Sequence, residues 1–220
     1  MTRVKICGLT GRNDLETVVD AGADAVGVIV DVPVNTPREI TADRAADLVA
    51  TAPPFVTTVL VTMDRGLEHA ADLVERVEPD VLQLHADPET IDIAAVTDCV
   101  DSQLVLAVDT DDVSSAQRHD GDVDAFLVDT PAEDGGGGTG RTHDWNRTRT
   151  AIADLESPVI LAGGLTPANV AEAVRAADPF AVDVASGVEA DGGVKDPNAV
   201  RSFVECARRA HGAEPTPHSS

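Results

Sequence analysis

Residues 158–170, PVILAGGLTPANV, predict a buried strand that runs into a glycine turn and then a helix. The apolar, β-branched run at the start is typical of a buried strand, and Gly163 and Gly164 allow the backbone to approach a ligand closely. Thr166 and Pro167 suit a helix N-cap and the first helical position. Such a junction directs N–H groups and a positive helix end at one point. It therefore predicts an anion site, with an ordinary strand-to-helix turn as the alternative.

The same alternation of a strand-like run and a helical period occurs eight times along the chain. The predicted pairs are residues 4–7 with 13–21, 24–30 with a helix capped at Thr41, 56–62 with 67–77, 80–85 with 88–96, 103–108 with 113–119, 124–129 with 145–155, 158–162 with 167–176, and 180–185 with 197–210. Eight such units with short linkers predict an α/β fold, a single (β/α)8 TIM barrel over residues 1–211. Residues 212–220 carry no core-forming side chain and are predicted to be a disordered tail. The alternative, an open doubly wound sheet, would need a glycine fingerprint after the first strand, where only Gly8 stands.

The composition limits the partners that this chain can have. Its 39 acidic and 16 basic residues leave a formal charge of -23, and only Lys5 and Lys195 are lysines. Such a surface repels nucleic-acid phosphates, so we expect no nucleic-acid partner. We expect no membrane partner either, because no apolar run reaches bilayer length, and the beginning MTRVKICGLT lacks a signal-like leader, which predicts a cytoplasmic location. We interpret the acidity as adaptation to a salty cytosol, since the Debye length is about 3 Å at 1 M salt.

Several reactive side chains fall at the carboxyl ends of predicted strands, where barrel enzymes place their active sites. Cys7 ends the first strand and Asp129 the sixth, so the two are expected to face each other across the barrel mouth. A lone cysteine is more often a small core residue, but this position favours a catalytic one. Cys99 and Cys206 fall on helices and are interpreted as structural; an odd number of cysteines without CxxC spacing predicts neither a disulfide framework nor a zinc site. His85 ends the fourth strand, as either a positioning donor or a structural histidine.

Three glycine-containing turns predict a phosphate site. Gly163-Gly164 and Ser186-Gly187 follow the seventh and eighth strands, which form the recurrent phosphate site of barrels. The loop 135–140, GGGGTG, is predicted to fold over the same anion, with a flexible linker as the alternative. The loop also imitates a P-loop, but Arg141 stands where lysine is needed and no helix follows at once, so nucleotide hydrolysis is not expected.

Two further groups are predicted around the same mouth. Arg38 is placed to bind a substrate carboxylate in bidentate fashion, or else to form a surface ion pair with Glu39 or Asp31. Lys5 and Asp183 alternate inward on their strands and are expected to form a buried pair inside the barrel.

With these residues placed, the chain resembles the phosphoribosylanthranilate isomerase family over nearly its whole length. The matching motifs occur in the family's order and spacing, which together are far more specific than any one of them. They are KICGLT (5–10), GADAVGVIV (22–30), TPR (36–38), QLH (83–85), LVDT (127–130), GGTG (137–140) followed by Asp144-Trp145, LAGGLTPANV (161–170), DVASGVE (183–189) and GGVKD (192–196).

The resemblance implies an isomerase of tryptophan biosynthesis with the fold derived above. It would convert N-(5-phosphoribosyl)anthranilate to 1-(2-carboxyphenylamino)-1-deoxyribulose 5-phosphate by an acid/base Amadori rearrangement, with no metal or organic cofactor. It implies Cys7 as the general base, Asp129 as the general acid and Arg38 as the carboxylate ligand. The other residues expected to bind the substrate are His85, Gly137, Gly138, Thr139, Gly140, Gly163, Gly164, Asp183, Ser186 and Gly187.

Other functions remain as alternatives to this expectation. Indole-glycerol-phosphate synthase would need catalytic Lys and Glu at strand ends, and a thiamin-phosphate synthase would need a diphosphate-metal site. A catalytically silent phosphate-binding barrel, acting as a ligand sensor or a partner subunit, is the alternative from another class. A monomer and a homodimer are equally compatible with the sequence.

The predicted acid and base place an electrostatic demand on the site. A protonated Asp129 beside an ionised Cys7 inverts the order of their reference pKa values, about 3.9 and 8.5, by roughly 4 to 5 units. We expect burial to raise the pKa of Asp129 and the substrate's iminium to favour the thiolate.

Overall fold

The computed structural model describes residues 1–129 and 145–210, and eight of their strands close into a parallel barrel in the order of the sequence. This confirms the predicted (β/α)8 barrel. The barrel strands are β1 (Arg3–Ile6), β2 (Ala25–Ile29), β3 (Thr57–Met63), β4 (Val81–His85), β5 (Gln103–Asp109), β6 (Ala125–Asp129), β7 (Val159–Ala162) and β8 (Ala181–Val184). The segment 130–144 and the predicted tail lie outside the described residues.

Each barrel strand is followed along the chain by a helix that covers its outer face. The helices are α1 (Arg12–Asp20), α2 (Ala42–Val49), α3 (Leu67–Val77), α4 (Ile93–Cys99), α5 (Val113–Ala116), α6 (Trp145–Ile152), α7 (Val170–Ala177) and α8 (Pro197–Arg209). The predicted N-cap of α2 is confirmed, because the Thr41 side chain accepts a hydrogen bond from the Arg44 N–H. Among the described residues, no helix is long and apolar enough to cross a membrane.

The helix that follows the 158–170 strand begins later than its sequence predicts. Asn169, not Thr166, is the N-cap residue, and α7 starts at Val170. The Asn169 side chain accepts from the Thr166 N–H at 2.7 Å and donates to the Gly164 carbonyl at 3.0 Å. The predicted helix start is three residues early: residues 166–169 form a turn that leads into α7, where the Val170 N–H donates to the Thr166 carbonyl at 3.0 Å.

Two apolar cores hold the barrel together. The larger lies between the strands and the helices, and the smaller fills the barrel with side chains such as Val59, Val105 and Leu127. Both faces of the sheet are therefore buried, which explains the nearly continuous apolar strands of this chain. The inner core also contains charge, because Lys5 and Asp183 are only 3% and 8% exposed.

A small antiparallel hairpin between β8 and α8 is absent from the predicted pattern of eight units. It consists of β9 (Glu189–Asp191) and β10 (Val194–Lys195). The Thr10 hydroxyl donates to the Gly193 carbonyl at 2.9 Å, and the Lys195 N–H donates to Asp14 at 3.1 Å. The hairpin is thereby fixed to the loop after β1 and to the first turn of α1, at the mouth of the barrel.

Candidate active site

Cys7 lies at the barrel mouth directly after β1, as predicted. Its N–H donates to the Val184 carbonyl at 2.8 Å, and the residue is 5% exposed. A Cβ at Gly27 on β2 would lie only 2.8 Å from the Cys7 sulfur. Gly27 therefore makes room for the thiol, and a glycine inside a strand was the sequence signal for this close approach.

Lys5 and Asp183 form the predicted buried pair beneath the thiol. They are register partners on β1 and β8, and their Nζ and Oδ1 atoms are 2.9 Å apart. Burial would lower the pKa of Lys5, but the neighbouring acidic groups, Asp183 first and Cys7 second, outweigh burial and raise the pKa above its ordinary value. An ammonium group is thus held inside the barrel, one inward position below Cys7.

The Lys5 ammonium does not suffice to ionise the Cys7 thiol at neutral pH. Burial raises the pKa of Cys7 above its ordinary value, although the Lys5 ammonium acts in the opposite direction. The protein groups around Cys7 therefore do not by themselves meet the thiol half of the electrostatic demand.

Asp129 meets the other half of that demand. It ends β6 beside Asp109, its register partner on β5. Burial, followed by the negative charges of Asp183 and Asp109, raises the pKa of Asp129 to about 6. A carboxyl group with this pKa exchanges a proton near neutral pH, as a general acid must.

His85 and Asp129 line one open cleft, of about 820 Å³, on the β4–β6 side of the mouth. The Gln83 amide nitrogen lies 3.1 Å from His85 Nε2. Burial and the Lys5 charge lower the pKa of His85, so its imidazole is neutral at pH 7. When Gln83 donates to Nε2, the proton of the ring is on Nδ1, and His85 can act as a hydrogen-bond donor there.

Arg38 reaches over the mouth from the loop after β2, but with a different partner from those predicted. Its Nε and Nη2 atoms donate to Glu189 Oε1 and Oε2, both at 2.8 Å. The predicted surface ion pair of Arg38 with Glu39 or Asp31 is therefore wrong. The Glu39 side chain accepts from the Val32 N–H, and the Asp31 carboxylate lies 3.6 Å from His69 Nε2. The hairpin brings Glu189 to Arg38 across 151 residues of sequence, which no local pattern reveals.

The two described glycine turns contact each other. Gly163 and Gly164 have φ angles of 91° and 56°, which favour glycine. A Cβ at Gly187 would lie 1.9 Å from the Leu165 carbonyl oxygen, so the turn after β8 packs directly on the turn after β7. Ser186 begins a short 3-10 turn at the same place. The predicted contribution of Gly137, Gly138, Thr139 and Gly140 lies outside the described residues.

Comparison with known proteins assigns this chain to one family. The family model described as N-(5'-phosphoribosyl)anthranilate (PRA) isomerase matches residues 4–206. The chain belongs to the PRA isomerase family. It is 56% identical over 213 residues to the PRA isomerase of the halophilic archaeon Haloferax volcanii, covering 97% of this chain and 96% of that relative.

Solved structures of PRA isomerases agree with this chain over the whole barrel. The crystal structure of the Thermotoga maritima enzyme has a TM-score of 0.82 at 33% identity, covering 94% of this chain and 99% of that one. A structure of a PRA isomerase in complex with reduced 1-(o-carboxyphenylamino)-1-deoxyribulose 5-phosphate has a TM-score of 0.79 at 31% identity, with coverages of 94% and 99%. The similarity to the enzyme of a halophile also agrees with the acidic composition.

Three residues of this PRA isomerase mouth escaped sequence reasoning. Glu189 and Lys195 lie inside the family motifs DVASGVE and GGVKD, yet nothing in their spacing shows that the hairpin brings Glu189 to Arg38 and Lys195 to Glu189. Gly27 lies in GADAVGVIV and was read only as strand. Within residues 1–129 and 145–210, no three His, Cys, Asp or Glu side chains are grouped so that they could hold a metal ion.

Proposed function

We propose that Cys7 and Asp129 are the general base and general acid with which this PRA isomerase converts N-(5-phosphoribosyl)anthranilate to 1-(2-carboxyphenylamino)-1-deoxyribulose 5-phosphate in tryptophan biosynthesis. The observation that carries the proposal is a carboxyl group of pKa about 6 at the same barrel mouth as a buried thiol above an ammonium group. Such a pair supplies the two proton transfers of an Amadori rearrangement.

Asp129 opens the ribose ring in this mechanism. It donates its proton to the ring oxygen as the bond from that oxygen to C1 breaks, and the anthranilate nitrogen forms a protonated Schiff base with C1. Asp129 is left as the carboxylate. At pH 7 roughly a tenth of a group with a pKa near 6 carries its proton in the free enzyme.

Cys7 then takes the proton from C2, and the electrons of that bond move to the iminium nitrogen. The resulting enolamine becomes the product when C1 gains a proton and the C2 hydroxyl loses one. The positive iminium and the Lys5 ammonium both favour the thiolate, so the substrate helps to ionise its own base. The iminium is the electron sink, and the steps need no cofactor.

The remaining residues are proposed to hold the two anionic ends of the substrate. Arg38 binds the anthranilate carboxylate, and the contacting turns at Gly163-Gly164 and Ser186-Gly187 bind the phosphate, with the loop at Gly137–Gly140 over it. His85 donates a hydrogen bond from Nδ1 in the cleft. Asp183 keeps one oxygen on Lys5 and offers the other to the ribose.

The proposal is tested by turnover of freshly generated substrate in multimolar KCl. We expect Cys7→Ser and Asp129→Asn each to lower kcat by at least about 10²-fold, the usual contribution of a general acid or base. Both variants keep their affinity for the reduced product analogue. The matched control is Cys99→Ser, since Cys99 is an exposed thiol on α4 and its loss leaves turnover unchanged.

Two outcomes would contradict the assignment. If either variant keeps most of the rate, that residue is neither the acid nor the base. If the wild-type protein binds the analogue but never turns over the substrate, the barrel is a silent phosphate-binding sensor or partner subunit.

We further propose a cytoplasmic enzyme without nucleic-acid partners, present as a monomer or a homodimer. The net charge of -23 supports the absence of nucleic-acid binding. Sedimentation in multimolar KCl distinguishes the two oligomeric states, and binding of a labelled duplex at low salt would contradict the proposed absence of nucleic-acid partners.

A further inference from the structure

Glu189 is saturated with hydrogen bonds at the barrel mouth. Oε1 accepts from Arg38 Nε at 2.8 Å and from Lys195 Nζ at 2.9 Å, while Oε2 accepts from Arg38 Nη2 at 2.8 Å and from the Gly193 N–H at 3.2 Å. A carboxylate has about four acceptor sites, so each one is used. The side chain is 5% exposed. Glu189 therefore has neither the space nor a free acceptor with which to change its orientation.

This carboxylate fixes which edge of the Arg38 guanidinium is available. Glu189 occupies the edge formed by Nε and Nη2. The other edge, formed by Nη1 and Nη2, has one long contact in the described structure, from Nη1 to the Thr36 hydroxyl at 3.4 Å. Because the guanidinium is planar and rigid, fixing one edge also fixes the direction of the other. The Arg38 stem is held as well, since a Cβ at Gly8 would lie 2.8 Å from its Cδ.

Lys195 determines the net charge of the cluster that it forms with Glu189 and Arg38. Its side chain is fully buried, and its Nζ binds Glu189 and the Ala185 carbonyl, the latter at 3.0 Å. Burial would raise the pKa of Glu189, but the hydrogen bonds from Arg38 and Lys195 outweigh it and hold the pKa below its ordinary value. Two cations and one anion leave one net positive charge. Without Lys195 the Arg38–Glu189 pair would be neutral and would attract a second carboxylate only weakly.

We propose that Glu189, held by Lys195, is a positioning residue that directs the free edge of Arg38 at the carboxylate of the substrate. The inference rests on the proposed role of Arg38 as the carboxylate ligand. Glu189 itself does not touch the substrate. It is a determinant of specificity for substrates that place a carboxylate at Arg38. Because the free edge of Arg38 is already oriented, less conformational entropy is lost when the substrate binds.

The test compares Glu189→Gln with the double variant Glu189→Gln/Lys195→Met. Glutamine keeps the shape of Glu189 but removes its charge, so the local net charge becomes +2. The double variant restores the net charge to +1 without restoring the fixed edge. Glu39→Gln is the matched control, because Glu39 is the neighbour of Arg38 in sequence and binds only a backbone N–H in the described structure. Dissociation constants are measured for the reduced product analogue and for the same compound without its carboxylate.

Orientation and charge predict different results for these variants: a charge effect alone predicts tighter binding in Glu189→Gln and wild-type binding in the double variant. If Glu189 positions Arg38, both variants bind the carboxylate-bearing analogue about 10- to 100-fold more weakly, as expected for a charge-assisted bidentate contact, and KM rises by more than kcat falls. If Glu189 acts only by positioning Arg38, the affinity of both variants for the analogue without the carboxylate stays within about twofold of the wild-type value. Glu39→Gln has no effect on either.

Three results would overturn the proposal. Tighter binding of the carboxylate analogue to Glu189→Gln would make Glu189 a competitor of the substrate. Equal weakening of both analogues would make its role merely structural, and wild-type affinity in the double variant would reduce it to charge. If Glu189→Gln does not fold, Glu189→Asp gives the same comparison of the two analogues. Arg38→Met tests the carboxylate role of Arg38 itself. If this variant binds the carboxylate-bearing analogue as tightly as the wild type, Arg38 is not the carboxylate ligand.

Discussion

The two sides of the barrel mouth differ in how their charged residues are paired. On the β1–β8 side, each of three cations forms an ion pair with a carboxylate: Lys5, Lys195 and Arg38. On the β5–β6 side, Asp109 and Asp129 are neighbours, and neither forms an ion pair with a described residue. The paired side keeps its groups charged and fixed, which suits the binding of an anion. The unpaired side holds a carboxyl group whose pKa is raised to about 6, which suits the transfer of a proton. The two sides of the mouth thus differ in how their charges are paired, and the side without ion pairs holds the carboxyl group that exchanges a proton near neutral pH.

Breaking the deepest pair should have the largest effect on stability. Lys5→Met leaves Asp183 charged and without its cation inside the barrel, so we expect the free energy of unfolding to fall by about 3 to 5 kcal/mol. Denaturant unfolding in high KCl measures this. The double variant Lys5→Met/Asp183→Asn should recover much of the loss. A single variant as stable as the wild type would show that the pair contributes little.

The unpaired side should behave in the opposite way. The pKa of Asp129 is about 6 when folded and near 3.8 when unfolded, so between these values the folded state binds more protons. The stability contributed by this group is present at low pH and is lost as the pH rises through 6. Asp129→Asn avoids that loss, and we expect it to stabilise the protein by about 1 to 3 kcal/mol at pH 8.

This gain has a characteristic pH dependence that serves as its control. At about pH 3, below both pKa values, the Asp129 carboxyl is mostly protonated in both states, so the variant and the wild type should be almost equally stable. Thermal unfolding at about pH 3, 6 and 8 measures the difference. A gain that does not change with pH would have a cause other than ionisation.

A smaller effect is expected when Asp109, the neighbour of Asp129 on β5, loses its charge. The negative charge of Asp109 helps to raise the pKa of Asp129, so Asp109→Asn should lower that pKa below 6. The protonated fraction at pH 7 then falls, and kcat/KM falls with it. A carboxyl-carbon NMR titration measures the pKa directly. Asp111→Asn, which removes an exposed partner of Arg147, is the control and should leave the titration unchanged.

The smallest effect is expected far from the mouth. Arg76 pairs with Asp43 on the surface, where the two side chains are 57% and 81% exposed. We expect Arg76→Met to change the free energy of unfolding by less than about 0.5 kcal/mol, because solvent and salt screen such pairs. Denaturant unfolding in parallel with Lys5→Met checks this. A loss comparable to that of Lys5→Met would remove the distinction between buried and exposed pairs.

Most of the barrel was predictable because its signals are local. The apolar runs and helical periods gave all eight strand–helix units, with α3 at its predicted bounds and other ends displaced by a few residues. The error at Thr166 arose where a side chain, Asn169, bonds a turn that propensity alone does not distinguish from a first helical turn. The hairpin at 189–195 was missed because its strands have only three and two residues.

The barrel, the family and the strand ends at which Cys7, His85 and Asp129 lie can all be inferred from the amino-acid sequence, because a strand and its polar end are adjacent in the chain. The partner of Arg38 is known only from the folded chain, because Glu189 lies 151 residues away and reaches Arg38 through the hairpin. The Lys5–Asp183 pair is expected from strand alternation, but its 2.9 Å contact across 178 residues also exists only after folding. The energy of a charge depends on burial and on partners within a few ångströms, and these distances are set only when the barrel closes and the hairpin packs at its mouth.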